Sequence, residues 1–330
     1  MRLTFLIGNG FDISRGLKTT YNNFYDYCKT NDILQENSIY NEIKNDVTLW
    51  SDFEVSLGKY TESLKNKKDV KNFIKDFIAF ENEFLNYLEK ESENYEIQIS
   101  DKENSLNDTI TNFYKDIDYE DKNDINSLLS KYRGQTLNVD FINFNYTYVF
   151  DEYIKFNNNR NFLDFEGFNL SVNYYTPIHV HNDINSGALL GVNDETQLYN
   201  KELLGKYLKY LIKPNANLYS RNLNFGAVER TILNSNIIYI YGMSLGQTDK
   251  KWWQIIGKVL NEHEETYLFI HKYDPSFKNL RRNIITLDQK REAVIDEFLA
   301  ISELNELDEE VIKKISSRIF IVFNSQNVFR

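Results

Sequence analysis

Apolar residues recur along this chain with two different periods, and the change of period divides it. Leu3-Thr4-Phe5-Leu6-Ile7 is a nearly unbroken apolar run, which predicts a short strand buried on both faces. From residue 21 to about 135 the spacing becomes three and four, as in Phe73, Phe77, Phe80, Phe84, Tyr87 and Leu88, and predicts an almost wholly helical stretch. Within it, Trp50, Phe53, Val55, Leu57 and Tyr60 mark a further helix, and Glu91 to Ser105 is polar enough for a loop. Beyond it, short β-rich runs alternate with helical segments. The predicted strands are Leu137–Phe144, Ile178–Val180, Leu189–Val192, Asn236–Tyr241, Tyr267–His271 and Ile319–Phe323. The predicted helices are Tyr148–Phe156, Tyr199–Ile212, Phe225–Leu233, Lys250–His263 and Lys290–Leu299. Such alternation is that of an α/β protein with a parallel sheet flanked by helices. Residues 1–20 and 136–330 then form one α/β domain, and residues 21–135 are a helical insertion after its first strand. No internal repeat interrupts the pattern.

Four places where an apolar run ends carry candidate chemistry. The first strand leads into Gly8-Asn9-Gly10-Phe11-Asp12 and then Gly16-Leu17-Lys18-Thr19-Thr20-Tyr21. Glycines between a strand and a helix let the backbone take positive φ and let a ligand approach the main chain. The helix that follows directs free N–H groups at an anion. The spacing is Gly-x-Gly with a third glycine six residues later, unlike the dehydrogenase G-x-G-x-x-G; a ligand-free tight turn accounts for the same residues. In Phe144-Asn145-Tyr146-Thr147, Asn145 stands where the chain leaves the sheet's carboxyl edge. It either orients a water or ribose hydroxyl, or caps the helix from Tyr148. Strand alternation puts His179 and His181 on one face, with His181 nearer the exit and suited to general-base work, metal binding or a structural role. The fourth run closes in Gly242-Met243-Ser244-Leu245-Gly246-Gln247-Thr248-Asp249, where Gly242 and Ser244 can pack against a nucleotide. Thr248 or Asp249 is a natural helix cap.

Composition narrows the classes. A net charge of −11 and a pI near 5.0 argue against broad nucleic-acid binding, which needs a basic surface. The single cysteine, Cys28, makes neither an intrachain disulfide nor a structural zinc site, as a reducing cytoplasm would have it. A strand begins at once, with no leader, and no 18-residue apolar run occurs; a soluble, cytoplasmic protein is expected.

Taken together, several motifs resemble the AbiH family of bacterial phage abortive-infection proteins, from residue 1 to about 270. They are Gly8-Asn9-Gly10-Phe11-Asp12 with Gly16, Thr19 and Tyr21, Trp50 with Phe53-Glu54, Phe144-Asn145-Tyr146-Thr147, His179-Val180-His181, Gly191-Val192-Asn193-Asp194, and Gly242-Met243-Ser244-Leu245-Gly246 with Asp249. Their order is similar, more distantly, to sirtuin-type NAD-binding domains. The resemblance implies a Rossmann-like (sirtuin-like), mostly parallel sheet with flanking helices and a large helical insertion. It also implies an abortive-infection effector that binds NAD+ and cleaves it at the nicotinamide–ribose bond without a metal. Gly8, Asn9, Gly10, Phe11, Asp12, Gly16, Thr19 and Tyr21 would then hold the dinucleotide, with Gly242, Ser244 and Asp249 on the adenosine side. Asn145 would orient ribose or water and His181 would be the base.

Two departures stand out. Asn182 replaces the glycine that follows the histidine in sirtuins, and Asp12 would repel a pyrophosphate. With no zinc module, deacetylation of protein lysines is not expected. With no arginine patch for a 2′-phosphate, NAD is expected rather than NADP. The helical stretch would cover the ligand edge or build a homo-oligomer, and a phage-derived trigger is expected to release the activity. Rival readings are a nucleotide sensor without turnover, a nuclease effector and a scaffold. A HEPN-type nuclease would need an Arg–His pair on a helix, which the sequence lacks.

Overall fold

The computed structural model describes residues 1–45, 53–95, 105–157, 160–192, 194–213, 215–216, 224–276 and 284–329. Trp50, Asn193 and most of the polar stretch after Glu91 lie outside the described residues. In chain order the strands are β1 (Arg2–Ile7), β2 (Thr136–Asn143), β3 (Phe162–Asp164), β4 (Asn169–Tyr174), β5 (Ile178–His179), β6 (Ile237–Tyr241), β7 (Tyr267–Lys272) and β8 (Ile319–Phe323). They form one open sheet in the order β3-β4-β2-β1-β6-β7-β8, with β5 paired to β2. Every pairing is parallel except that of β3 with β4. β1 lies at the centre, Leu6 facing Ile142 on one side and Ile240 on the other. The chain leaves β1 to build toward β2 and later returns to build from β6. The point where strand order reverses is therefore at β1, and its carboxyl end is where open α/β sheets place ligands.

The continuous apolar runs follow from burial on both faces. Leu3, Phe5 and Ile7 pack under α6 (Ser105–Asn112), α7 (Tyr119–Lys131) and α8 (Val149–Phe156). Leu6, Ile238 and Ile240 pack under α11 (Asn224–Leu233), α12 (Lys250–Glu262), α13 (Ile284–Ile301) and α14 (Glu309–Ser316). Each such side chain, removed from water, contributes roughly 1.5–3 kcal/mol.

Between β1 and β2 the described chain holds only helices: α1 (Gly10–Ser14), α2 (Tyr21–Thr30), α3 (Ser38–Asn45), α4 (Phe53–Tyr60), α5 (Lys67–Glu93), α6 and α7. Helices α2 to α5 enclose a third core, in which Phe53 stacks on Phe80 with ring centroids 4.4 Å apart. Packing cuts across the boundary expected at residue 135. α6 and α7 belong to the sheet's core, whereas Leu190, Val192, Leu204, Leu211 and Ile212 join the helical one. Among the described residues no helix is long and apolar enough to cross a membrane.

Three local readings change. Leu189–Val192 is not a strand; only Val192 bridges Ile212. The helix expected over 199–212 is broken into α9 (Lys201–Leu204) and α10 (Leu208–Leu211), with Gly205 at φ +50° between them. β3 and β4 were not anticipated, although Leu170 and Val172 alternate with outward polar residues. β4 and β5 follow one another along β2, interrupted at Pro177, which has no N–H for the ladder.

Candidate active site

The turns after β1 and β6 cross with backbones in contact. A Cβ on Gly10 would lie 2.5 Å from the Gly242 Cα, and one on Gly8 2.7 Å from the Gly242 carbonyl oxygen. Gly242 itself has φ +68°. The Gly8 N–H donates to Tyr241 O (2.9 Å), Gly10 N–H to Gly242 O (2.8 Å) and Phe11 N–H to Gly8 O (2.9 Å). Here the glycines let two turns interlock, and these amides are already satisfied. The helix that follows, α1, is only five residues long.

Beside this crossing lies a cleft of about 300 Å³ at the carboxyl ends of β1, β2, β5 and β6. That is the lower end of the range for small-molecule sites. Of the residues expected to act, Gly8, Asn9, Asp12, Thr19, Tyr21, Asn145, His181, Gly242, Ser244 and Asp249 line it. Gly10, Phe11 and Gly16 do not. Phe11 is sealed in an aromatic cluster with Phe150, Tyr153 and Phe329. Gly16 is exposed with φ +83° and serves the turn alone. Asn9 and Thr19 close the loop on itself, Asn9 Nδ2 donating to Thr19 O and the Thr19 hydroxyl to Asn9 Oδ1.

Asp12 forms part of the floor and is fully buried. Its Oδ2 accepts the Thr147 hydroxyl at 2.6 Å and its Oδ1 accepts Asn145 Nδ2 at 3.1 Å. Burial outweighs those bonds and pushes its pKa up to about 7. It is thus partly protonated at neutral pH, and the repulsion of an anion expected from a bare carboxylate is blunted.

Asn145 does not cap the following helix, whose N-cap is Tyr148 without a side-chain bond. Its peptide is gripped from both sides. Asn145 N–H donates to Asn143 Oδ1 (3.0 Å), Asn143 Nδ2 donates to Asp151 (3.3 Å), Asp151 pairs with His179 Nε2 (2.9 Å), and His179 Nδ1 reaches Asn145 O (3.1 Å). The side-chain amide also reaches Gly8 O at 3.3 Å. His179 is therefore a structural staple outside the cleft. Burial alone would lower its pKa, but Asp151 carries it above the ordinary value.

His181 is the histidine that enters the cleft. Asn182, next to it, takes φ +59°, the left-handed conformation that asparagine tolerates best after glycine, and donates to Gly187 O. The residue is 6 % exposed, with the Phe144 and Tyr146 rings each 6.1 Å from the imidazole. Nδ1 is buried without a hydrogen-bond partner, and Nε2 stands 3.9 Å from Asp249 Oδ1. Burial first, and then the positive charge of Lys213, lower its pKa to about 4, so it is neutral at physiological pH. Asp249 is the N-cap residue of α12 by position, but its side chain makes no capping bond. It is left facing the imidazole. A neutral imidazole with a carboxylate beside it can take a proton from water and balance a cation forming next to the pair.

Lys213, Phe84, Tyr146 and Thr147 also line the site and were not singled out from the sequence for a role there. Phe84 reads as one more position on the apolar stripe of α5, and Lys213 as one lysine among many. Thr147 was legible only as a neighbour of Asn145. Among the described residues no group of three His, Cys, Asp or Glu side chains could hold a metal ion. No curated protein matches the sequence. The family model of bacteriophage abortive infection AbiH does match, over residues 4–271, and the chain belongs to that family.

Proposed function

We propose that this protein acts in phage abortive infection by binding NAD+ in the cleft and hydrolysing its nicotinamide–ribose bond. The family supplies the biological setting. The chemistry rests on one observation: His181 and Asp249, brought from distant parts of the chain, stand side by side at 3.9 Å in a cleft at the carboxyl edge of the sheet. Breaking the C1′–N bond sends its electron pair to nicotinamide, which leaves neutral. The ribosyl cation left behind takes the oxygen of water, and the water's proton passes to His181. Asp249 balances the cation as it develops, and the Phe84 and Tyr146 rings offer apolar surface for the leaving base. Asn145, clamped at its peptide, holds the ribose side of the site.

The test is nicotinamide release from NAD+ by purified protein, followed by chromatography. Wild type is expected to release nicotinamide and ADP-ribose in equal amounts. His181→Ala should lose roughly 10²–10⁴-fold in rate, the usual worth of a general base, with an unchanged thermal midpoint. Full activity in a folded His181→Ala protein would remove the assignment of the base. Binding of NAD+ without release by wild type would leave a nucleotide sensor instead.

A further inference from the structure

We infer that Asp12 is a positioning residue: it turns the Asn145 amide so that the carbonyl oxygen faces the cleft, and the ligand meets that oxygen with a sugar hydroxyl rather than a phosphate. The inference deepens the reading of the cleft as a nucleotide site and rests on it.

The hydrogen bonds decide which end of the amide points where. Asn145 Nδ2 has two oxygens against it, Gly8 O at 3.3 Å and Asp12 Oδ1 at 3.1 Å. A peptide carbonyl can only accept, and so can a carboxylate, so the –NH2 end must point at them. A flipped amide would set its own oxygen against two others. The carboxyl group is held in turn, because the Thr147 hydroxyl donates to Oδ2 at 2.6 Å. Phe11, next in sequence, anchors this turn of α1 on Phe150 and Tyr153 of α8, with ring centroids 4.9 and 5.3 Å away. Asp12 is thus fixed by its neighbours on both sides, and it fixes Asn145.

The oxygen end of the amide is left over. Asn145 lines the cleft, and among the described residues nothing donates to its Oδ1. His181 adds Nδ1, buried without a hydrogen-bond partner, while Asp249 Oδ1 stands 3.9 Å from Nε2 and favours the ring proton there. The cleft therefore offers acceptors at Asn145 Oδ1, His181 Nδ1 and Asp249. A phosphate oxygen is an acceptor too and finds no donor among these three. A hydroxyl brings the missing proton, and adjacent hydroxyls on one sugar ring bring two. An analogue lacking a hydroxyl leaves a desolvated acceptor unmatched, which is the strongest ground on which a site rejects a ligand.

The experiment is calorimetric titration of the full chain with ADP-ribose and with the analogue that lacks the 2-hydroxyl of its terminal ribose. Wild type, Asp12→Leu and Asp12→Asn are compared, with the thermal midpoint of each measured alongside. Wild type is expected to favour ADP-ribose by about tenfold or more. Asp12→Leu keeps the side chain's shape but leaves only Gly8 O to hold the amide. It should lose about 3- to 10-fold in affinity for ADP-ribose, the worth of one hydrogen bond, and much less for the analogue. Asp12→Asn still offers Asn145 a carbonyl oxygen and turns its own –NH2 to the Thr147 oxygen, so it should keep the preference although the charge is gone. Equal affinity of wild type for the two compounds overturns the inference, and this arm needs no variant to fold. So does a folded Asp12→Leu that loses both compounds equally, which is what a merely structural role predicts, or one that keeps the wild-type preference. An Asp12→Asn protein as impaired as Asp12→Leu assigns the effect to charge and overturns it too. Preference for ADP-ribose without nicotinamide release from NAD+ removes the hydrolytic reading and leaves Asp12 in its role. Nicotinamide release by a wild type indifferent to the hydroxyl does the reverse, and a wild type that binds neither compound removes both.

Discussion

Replacing Gly10 by alanine separates two explanations of the opening glycines that the sequence leaves equal. If Gly10 exists to let a ligand approach the main chain, alanine should weaken binding and leave stability nearly intact. The packing around Gly10 adds a cost in stability. The added Cβ would lie 2.5 Å from the Gly242 Cα and 3.0 Å from its carbonyl oxygen, all backbone atoms with no rotamer to yield. Carbon atoms rest about 3.5–4 Å apart, so the two turns must separate by roughly 1 Å. That movement breaks the 2.8 Å bond from Gly10 N–H to Gly242 O. Overpacking of this kind costs roughly 1–3 kcal/mol and a lost buried hydrogen bond about 1 kcal/mol more, so Gly10→Ala is expected to destabilise by about 2–4 kcal/mol. Gly16→Ala is the control. It carries φ +83° but meets no atom within 4 Å, so it incurs only the left-handed penalty of about 1–2 kcal/mol, part of which the stiffer unfolded chain returns. Equilibrium unfolding in guanidinium chloride, with wild type and both variants under one buffer, measures the difference. A Gly10→Ala protein within about 1 kcal/mol of wild type, or no more destabilised than Gly16→Ala, would refute interlocked turns as the reason for the motif.

Two further tests bear on the histidines. His181 has its folded-state pKa lowered to about 4, against an ordinary value of 6.5. Between those values the unfolded chain takes up a proton that the folded site does not, so this group's effect is absent above about pH 6.5 and destabilises the fold as pH falls toward 4. The stability of wild type relative to His181→Gln should therefore decline by up to about 3 kcal/mol across that window, measured by urea unfolding at stepped pH, and a pH-independent difference would mean the imidazole is not desolvated. His179→Ala should cost about 1–3 kcal/mol, because it leaves the half-buried Asp151 without its partner and the buried Asn145 carbonyl unmatched. The same scan on that variant reads it, and a change under about 0.5 kcal/mol would show that the hydrogen-bonded ring around Asn145 carries no weight.

Much of the sheet was legible because strands buried on both faces leave continuous apolar runs: β1, β6, β7 and β8 fall within a residue of where Leu3–Ile7, Asn236–Tyr241, Tyr267–His271 and Ile319–Phe323 put them. The edge was not. β4 shows the alternation of a half-buried strand, but its short apolar set and the Pro177 that follows blur it into loop. The run Leu189–Val192 reads as a strand for the opposite reason. Its apolar residues are buried in the helical core, where composition looks the same as in a sheet. In the cleft, the residues that could be found from sequence were those at the exits of recognisable strands, such as Asn145, His181 and Asp249. Lys213 and Phe84 escaped because nothing local marks them. They arrive from a backbone bridge and from a helix whose apolar stripe already has a packing explanation.

Phe84 links the two halves of the argument. It stacks on Tyr21 at 4.8 Å, sits edge-on to Tyr146 at 6.2 Å and packs on Phe24, so a single ring belongs at once to the helical core and to the wall of the cleft. The floor, by contrast, is made by Asp12, Asn145 and Gly242, whose neighbours belong to the sheet. A site built this way excludes water only while both cores keep their registry. The neutral state of His181 depends on that exclusion, since it follows first from burial. The helices between β1 and β2 are then part of the site's electrostatics as well as its shape: without Phe84, Leu88 and Tyr21 over the cleft, solvent would reach the imidazole and relax its pKa toward the ordinary value.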